Sequence, residues 1–117
     1  MSFLFKRPGA GAQFQVVDAA GYRSQFVESQ ADHVLVDVRT PGEYRDGHVP
    51  GAVNIPLEKL GARLSEVPQD KPVVLVCASG NRSASAAEQL VTAGYSEVYN
   101  LKGGTMRWMM NGFPIEK

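Results

Sequence analysis

Short runs of β-branched and aliphatic residues recur along the chain and predict buried strands. The clearest run, residues 73–76, contains four aliphatic residues with no polar interruption. This pattern is typical of a strand that is covered on both faces in a parallel sheet. Residues 34–38 and 98–101 have a similar apolar character, and shorter candidates lie at 14–17 and 53–55. The pattern therefore predicts strands at these places.

Helical spacing of apolar residues falls between the predicted strands. Ala19, Tyr22 and Phe26 share one face of a helix that we expect to end near residue 29. Further helices are predicted at 40–44, where Thr40 precedes Pro41 as a cap, at 57–67, at 83–92 before Gly94, and at 105–111. Strands that alternate with helices imply a parallel sheet with helices on both faces, so the expected fold class is α/β.

Composition and charge narrow the possible functions. The 117 residues suffice for one ordinary domain, which we expect to span 13–117 after a flexible N-terminal arm at 1–12. Twelve basic residues balance twelve acidic ones, so no charge pattern favours nucleic acid. No apolar stretch approaches the length of a membrane span. A single cysteine excludes an internal disulfide, and His33 and His48 are too isolated to predict a metal site. We therefore expect a cytoplasmic protein with no cofactor.

The single cysteine, Cys77, directly follows the predicted strand 73–76 and precedes a turn and the predicted helix 83–92. Ligands bind at the carboxyl ends of strands in open α/β sheets, and backbone N–H groups at a helix start stabilise anions. A lone cysteine is most often a small buried hydrophobe. At this position, however, loop amides and Arg82 would favour the thiolate while burial would oppose it, and we expect the hydrogen bonds to dominate.

Three stretches of the sequence resemble those of a known family. Residues 77–83, Cys-Ala-Ser-Gly-Asn-Arg-Ser, resemble the active-site loop of the rhodanese family, the single-domain sulfurtransferases. Residues 37–56 resemble the family's N-terminal signature, and 103–108 with 112–116 resemble its C-terminal one. The likeness covers about residues 14–116 in the family's order. It implies a rhodanese-like α/β fold, with a five-stranded parallel sheet and helices on both faces.

The resemblance implies that the protein transfers a sulfane sulfur, a neutral sulfur atom carried on a thiolate. Cys77 would attack a small sulfur-containing anion such as thiosulfate, hold the sulfur as a persulfide, and pass it to a thiol or cyanide acceptor. The alternative within the same chemistry is a carrier that exchanges persulfide with a partner protein. Slow turnover of thiosulfate beside rapid transfer from a partner would favour the carrier.

The main task of the protein in this reaction would be to stabilise an anion on sulfur. We expect the substrate-binding loop to do so with the amides of Ala78, Ser79, Gly80, Asn81, Arg82 and Ser83. Gly80 allows the backbone to turn inward without a Cβ clash. Arg82 would either add charge or brace the loop by pairing with a carboxylate such as Asp37, and the sequence does not choose between these roles.

By the same resemblance, one segment is mainly a scaffold, and it contains Asp37, Arg39, Glu43 and His48. Asp37 ends a predicted strand, so we expect it to bond to loop amides or to Arg82, with Arg39 as a further supporting residue. His48 is expected to brace its loop. Trp108 is expected to lie in the core.

Protein-tyrosine and dual-specificity phosphatases also combine a nucleophilic cysteine with an arginine in one loop. They place five residues between the two, commonly after a histidine. Here four residues separate Cys77 from Arg82, and Val76 stands where that histidine would be. One residue fewer shortens the loop by up to about 3.5 Å. Because a smaller ring suits one sulfur atom better than a tetrahedral phosphate, the spacing disfavours a phosphatase.

Overall fold

A computed structural model describes residues 13–117, and the expected arm at 1–12 lies outside the described residues, so the division of the chain stays a prediction. The strands are Gln15–Val17 (β1), Val34–Asp37 (β2), Val53–Asn54 (β3), Val73–Val76 (β4) and Val98–Leu101 (β5). In this part of the chain they form one sheet with the order β1-β5-β4-β2-β3. Every pairing is parallel, which confirms the predicted sheet.

Helices follow the strands along the chain. The α-helices of the described residues are Ala19–Tyr22 (α1), Pro41–Asp46 (α2), Leu57–Leu60 (α3), Asn81–Thr92 (α4) and Gly104–Met110 (α5). A π-helical segment, Arg23–Glu28, continues α1, and a 3-10 segment, Gly61–Glu66, continues α3. Thr40 caps α2 as predicted, because its side chain and that of Glu43 each accept a hydrogen bond from the other's backbone N–H. Among residues 13–117, none of the helices has the length and apolar character of a membrane span.

Apolar side chains cover the sheet on both faces. On one face, Leu75 of β4 packs in a cluster with Leu90 of α4. On the other face, Val74 of β4 belongs to a cluster with Tyr22 of α1 and Trp108 of α5. All four residues of β4 are buried, as expected for a strand with helices on both sides. The two clusters confirm the predicted layers and the predicted place of Trp108 in the core.

The prediction of one continuous helix at 57–67 is wrong. The helix α3 is short, and the backbone leaves helical geometry at Arg63, where φ is −118° and ψ is 21°. The Tyr95 hydroxyl lies 2.6 Å from the carbonyl oxygen of Val67 and 3.1 Å from that of Leu64. This hydrogen bond from a distant residue gives the Val67 carbonyl a partner where the helix has already ended. Apolar periodicity along the segment could not show a contact of this kind.

Candidate active site

The candidate site lies at the carboxyl edge of the sheet, where β4 ends and Cys77 follows. β4 runs between β5 and β2, so this edge is flanked by structure on both sides. Gly80 has φ of +112°, a conformation that side chains with a Cβ rarely adopt, and it turns the chain back toward the sulfur. Because this glycine completes the turn, α4 begins at Asn81 rather than at the predicted residue 83.

Hydrogen-bond donors face the sulfur of Cys77, which is only 1% exposed. The Gly80 amide donates to Sγ at 3.0 Å, and the Ser83 hydroxyl oxygen lies 3.4 Å from Sγ. Burial acts to raise the pKa of the Cys77 thiol. Hydrogen bonds from the Ser83 hydroxyl and from the amides of Ser83, Gly80 and Ser79 outweigh burial and hold the pKa below its ordinary value. This is the balance expected from the sequence.

The loop residues that were expected to surround the sulfur divide into two groups. In the described part of the chain, the Gly80 amide and the Ser83 hydroxyl direct hydrogen bonds to the sulfur, and the Ser79 amide helps to lower the pKa of the Cys77 thiol. The Ala78 carbonyl instead accepts a hydrogen bond from the Met106 amide at 3.0 Å. Asn81 is the exposed first residue of α4. The loop is therefore held from outside at Ala78, while Gly80 and Ser83 face the sulfur.

Arg82 pairs with Glu43 of α2. Its two terminal nitrogens donate to the two carboxylate oxygens at 2.9 Å and 3.0 Å, in the bidentate geometry that arginine favours. The Arg82 hydrogen bond is the main reason that the pKa of Glu43 falls from 4.5 to about 2. Arg82 thus makes the bracing contact that is one of the two roles the sequence allows, and its partner is Glu43 rather than Asp37.

The expectation that Asp37 bonds to loop amides or to Arg82 is wrong. Its carboxylate is fully buried and accepts hydrogen bonds from the backbone and the guanidinium of Arg39, the closest at 2.8 Å. The Arg39 side chain also donates to the Gly47 carbonyl at 2.7 Å. The pair is local, because Asp37 ends β2 and Arg39 follows it two residues later. It supports the segment between β2 and β3, as the scaffold interpretation expects.

Asn100 of β5 contacts the loop, which was not predicted from the sequence. Its side-chain nitrogen donates to the Gly80 carbonyl at 3.2 Å, and its side-chain oxygen lies 2.5 Å from the Ser83 hydroxyl. Asn100 therefore holds both the turn and the hydroxyl that faces Sγ. The sequence signal for this contact was an amide side chain in a strand otherwise made of Val98, Tyr99 and Leu101. A buried polar side chain needs hydrogen-bond partners.

The start of α5 supports the loop from the other side. The Thr105 amide donates to the Cys77 carbonyl at 2.8 Å. Gly104 has φ of +61°, and a Cβ there would overlap the carbonyl oxygen of Cys77 and lie 2.5 Å from that of Ala78. The sequence predicts a turn at Gly103 and Gly104 but does not predict this close backbone approach. The approach is the reason that Gly104 must be a glycine.

His48 braces its loop, as expected. Its ring stacks on Tyr44 with centroids 3.7 Å apart, and its Nδ1 lies 2.8 Å from the Tyr44 carbonyl oxygen. The backbone of His48 pairs with that of Glu116 in both directions. Within residues 13–117, no group of three or more His, Cys, Asp or Glu side chains could hold a metal ion.

Comparisons with known proteins identify related sequences. The family model described as a rhodanese-like domain matches residues 21–111. A sulfurtransferase of Allochromatium vinosum is 42% identical over 92 residues, which are 79% of this chain and 86% of that protein. The uncharacterised protein YqhL of Bacillus subtilis is 50% identical over 74 residues, which are 63% of this chain and 59% of that protein.

A solved structure shows the same architecture. The crystal structure of a thiosulfate sulfurtransferase from Pseudomonas aeruginosa matches with a TM-score of 0.81 at 27% identity. The match covers 93% of this chain and 21% of that one. The present chain therefore corresponds to only part of YqhL and to a small part of the Pseudomonas protein.

Proposed function

This chain belongs to the rhodanese family of sulfurtransferases, and we propose that it moves a sulfane sulfur from thiosulfate or a related donor to a thiol or cyanide acceptor. The sulfur would travel as a persulfide on Cys77. The observation that carries the proposal is the Gly80 N–H group 3.0 Å from Sγ, with the Ser83 hydroxyl beside it. Donors in this position stabilise the negative charge that Sγ carries in the Cys77 thiolate before the attack and regains when the persulfide is consumed.

The reaction has two steps. The Cys77 thiolate attacks the outer sulfur of thiosulfate; a new S–S bond forms at Sγ, and the bond to the sulfite sulfur breaks with its electron pair leaving on sulfite. Cyanide or a thiolate then attacks the terminal sulfur of the persulfide, and the electron pair of the broken S–S bond returns to Cys77. Neither step needs a general base when the nucleophiles are already ionised, so anion stabilisation is the protein's main contribution.

The loop contacts support each step of this proposal. A pKa of the Cys77 thiol below its ordinary value increases the thiolate fraction at neutral pH. The Arg82 and Glu43 pair ties α4 to α2 across the loop, and Asn100 holds its turn from β5. Groups that are fixed before the reaction need no reorganisation when charge develops. The side chains of Ala78, Ser79 and Asn81 would then line the approach to the sulfur.

The test is the mass of the protein after treatment with thiosulfate. We expect a gain of one sulfur atom that is lost on addition of cyanide, with thiocyanate as the product. Cys77→Ser should neither gain the sulfur nor form thiocyanate. Ser85→Ala, at an exposed position of α4, is the matched control and should behave like the parent. Thiocyanate formation by a folded Cys77→Ser protein would contradict the proposal.

A second candidate function, persulfide exchange with a partner protein, is favoured by exposed methionines on α5. Met106, Met109 and Met110 are 57%, 50% and 70% exposed, and the Met106 amide binds the Ala78 carbonyl next to Cys77. Flexible thioether side chains are common at adaptable protein-binding surfaces. Rates of persulfide formation from thiosulfate and from a purified protein persulfide would separate the candidates. Faster loading from thiosulfate would argue against the carrier.

A cytoplasmic location is part of the same proposal. The free Cys77 supports it, because the proposed reaction needs a reduced thiol and the cytoplasm keeps thiols reduced. Cell fractionation with detection of the protein in each fraction tests this part. Recovery of the protein from an oxidising compartment would contradict it.

A further inference from the structure

A cleft of about 550 Å³ lies beside the sulfur-binding loop, between the start of α1 and the start of α5. The residues of its wall that matter here are Asp18, Ser79, Lys102, Gly103, Arg107 and Asn111. Pockets of this size hold small organic molecules, and a thiosulfate ion would occupy only a small part of it. Arg82 lines a different cleft, together with Thr40 and Gln89.

The cleft shares residues with the surroundings of the reacting sulfur. Ser79 lines it and directly precedes Gly80, whose amide donates a hydrogen bond to Sγ of Cys77. Gly103 also lines it and lies against the loop, since a Cβ placed on Gly80 would be 3.5 Å from the Gly103 nitrogen. A molecule in this cleft would therefore have one end close to the loop that carries the sulfur.

The charges of the cleft favour a singly charged anion. Lys102 and Arg107 are exposed, and among the ion pairs of residues 13–117 neither has a carboxylate partner. Asp18 contributes one negative charge, although its carboxylate accepts the Gly21 amide hydrogen bond at 2.7 Å as the cap of α1. Two positive charges against one negative charge suit a carboxylate better than a doubly charged phosphate. Asp18 would in turn accept a bond from an ammonium group on the same molecule.

We propose that this cleft binds the carboxylate end of a low-molecular-weight thiol that accepts the sulfur. This inference rests on the proposed function and names its acceptor class. Arg107 and Lys102 would bind the carboxylate, and the thiol end would lie next to the loop. The acceptor thiolate attacks the terminal sulfur of the Cys77 persulfide; its new S–S bond forms, the S–S bond at Cys77 breaks, and the electron pair stays on the Cys77 thiolate. The proton of the acceptor thiol goes to solvent.

The experiment compares two acceptors that share the same thiol end, mercaptopropionate, which carries a carboxylate, and its uncharged methyl ester. Protein loaded with persulfide, as verified by mass, is mixed with each acceptor, and the ratio of the two kcat/KM values is measured. In Lys102→Gln and in Arg107→Gln this ratio should fall about tenfold through a higher KM for the carboxylate, the loss expected for one charge-assisted hydrogen bond. Lys59→Gln, at an exposed lysine of α3, should keep the parent ratio.

Two outcomes would overturn the inference. A ratio within twofold of the parent in both Lys102→Gln and Arg107→Gln would show that these cations do not bind the acceptor. An equal loss with both acceptors would show that the two residues support the structure only. Failure of the parent protein to load with sulfur would instead contradict the proposed function, so the two failures are distinguishable.

Discussion

The Ser83 hydroxyl offers the most direct test of how the loop stabilises the Cys77 thiolate. Ser83 is fully buried, and its hydroxyl oxygen lies 3.4 Å from Sγ and 2.5 Å from the side-chain oxygen of Asn100. A hydroxyl carries one hydrogen, so Sγ and Asn100 compete for it. Ser83→Ala removes this hydrogen while the amides of Ser83 and Gly80 stay in place. The variant therefore isolates the side-chain contribution.

The expected effect follows from the strength of hydrogen bonds to charged groups, about 1.5–3 kcal/mol. We take the lower end, because Asn100 competes for the same hydrogen. About 1.4 kcal/mol corresponds to a tenfold change in an equilibrium. At a pH below the pKa of Cys77, the thiolate fraction of Ser83→Ala should therefore fall about tenfold. The pKa of the Cys77 thiol should rise toward its ordinary value, because one of the contacts that lower it is lost.

The assay is the rate of alkylation by iodoacetamide as a function of pH. Cys77 is the only cysteine of the chain, so the rate reports its thiolate alone. Ser85→Ala is the control on the exposed side of the same helix. Urea unfolding should also show a loss of about 1–3 kcal/mol in Ser83→Ala, because the side-chain oxygen of Asn100 is left without its donor. A folded Ser83→Ala protein whose pH profile coincides with that of the parent would refute the argument.

Three further predictions concern the contacts around the loop. The pKa of Glu43 lies below its ordinary value of 4.5, at about 2, so its ion pair with Arg82 stabilises the fold above pH 4.5. This stability is lost as the pH falls toward 2. Glu43→Gln should lose less stability over that pH range in thermal unfolding. Gly104→Ala should lower thiocyanate formation at least tenfold, because the backbone must move away from the loop carbonyls. The control is Gly112→Ala, at a φ of +77° with open space around it. It should reduce only the free energy of unfolding, by about 1–2 kcal/mol in urea. Arg39→Met should destabilise the protein by about 3–5 kcal/mol in the same measurement, since it leaves the buried Asp37 carboxylate without its partner; a loss below 1 kcal/mol would contradict the importance of this pair.

The elements of the fold were predictable where their cause is local. β4 follows from an apolar run that needs cover on both faces, and the start of α2 follows from Thr40 and Glu43, which lie three residues apart and cap each other. The break at Arg63 was not predictable, since apolar spacing is the same for a helix and for a helix that ends early. Tyr95 holds that segment from 28 residues away.

The sequence by itself determined that one cysteine stands between a buried strand and a helix, with Gly80 to turn the chain between them. Only the tertiary structure decided which side chains surround that cysteine. Glu43 meets Arg82 across 39 residues, and Asn100 meets Ser83 across 17. Such contacts depend on the order of the strands in the sheet, which brings β5 and α2 to the same edge as the loop. A local sequence pattern carries no information about the strand order, because that order arises only when the two apolar layers close over the sheet.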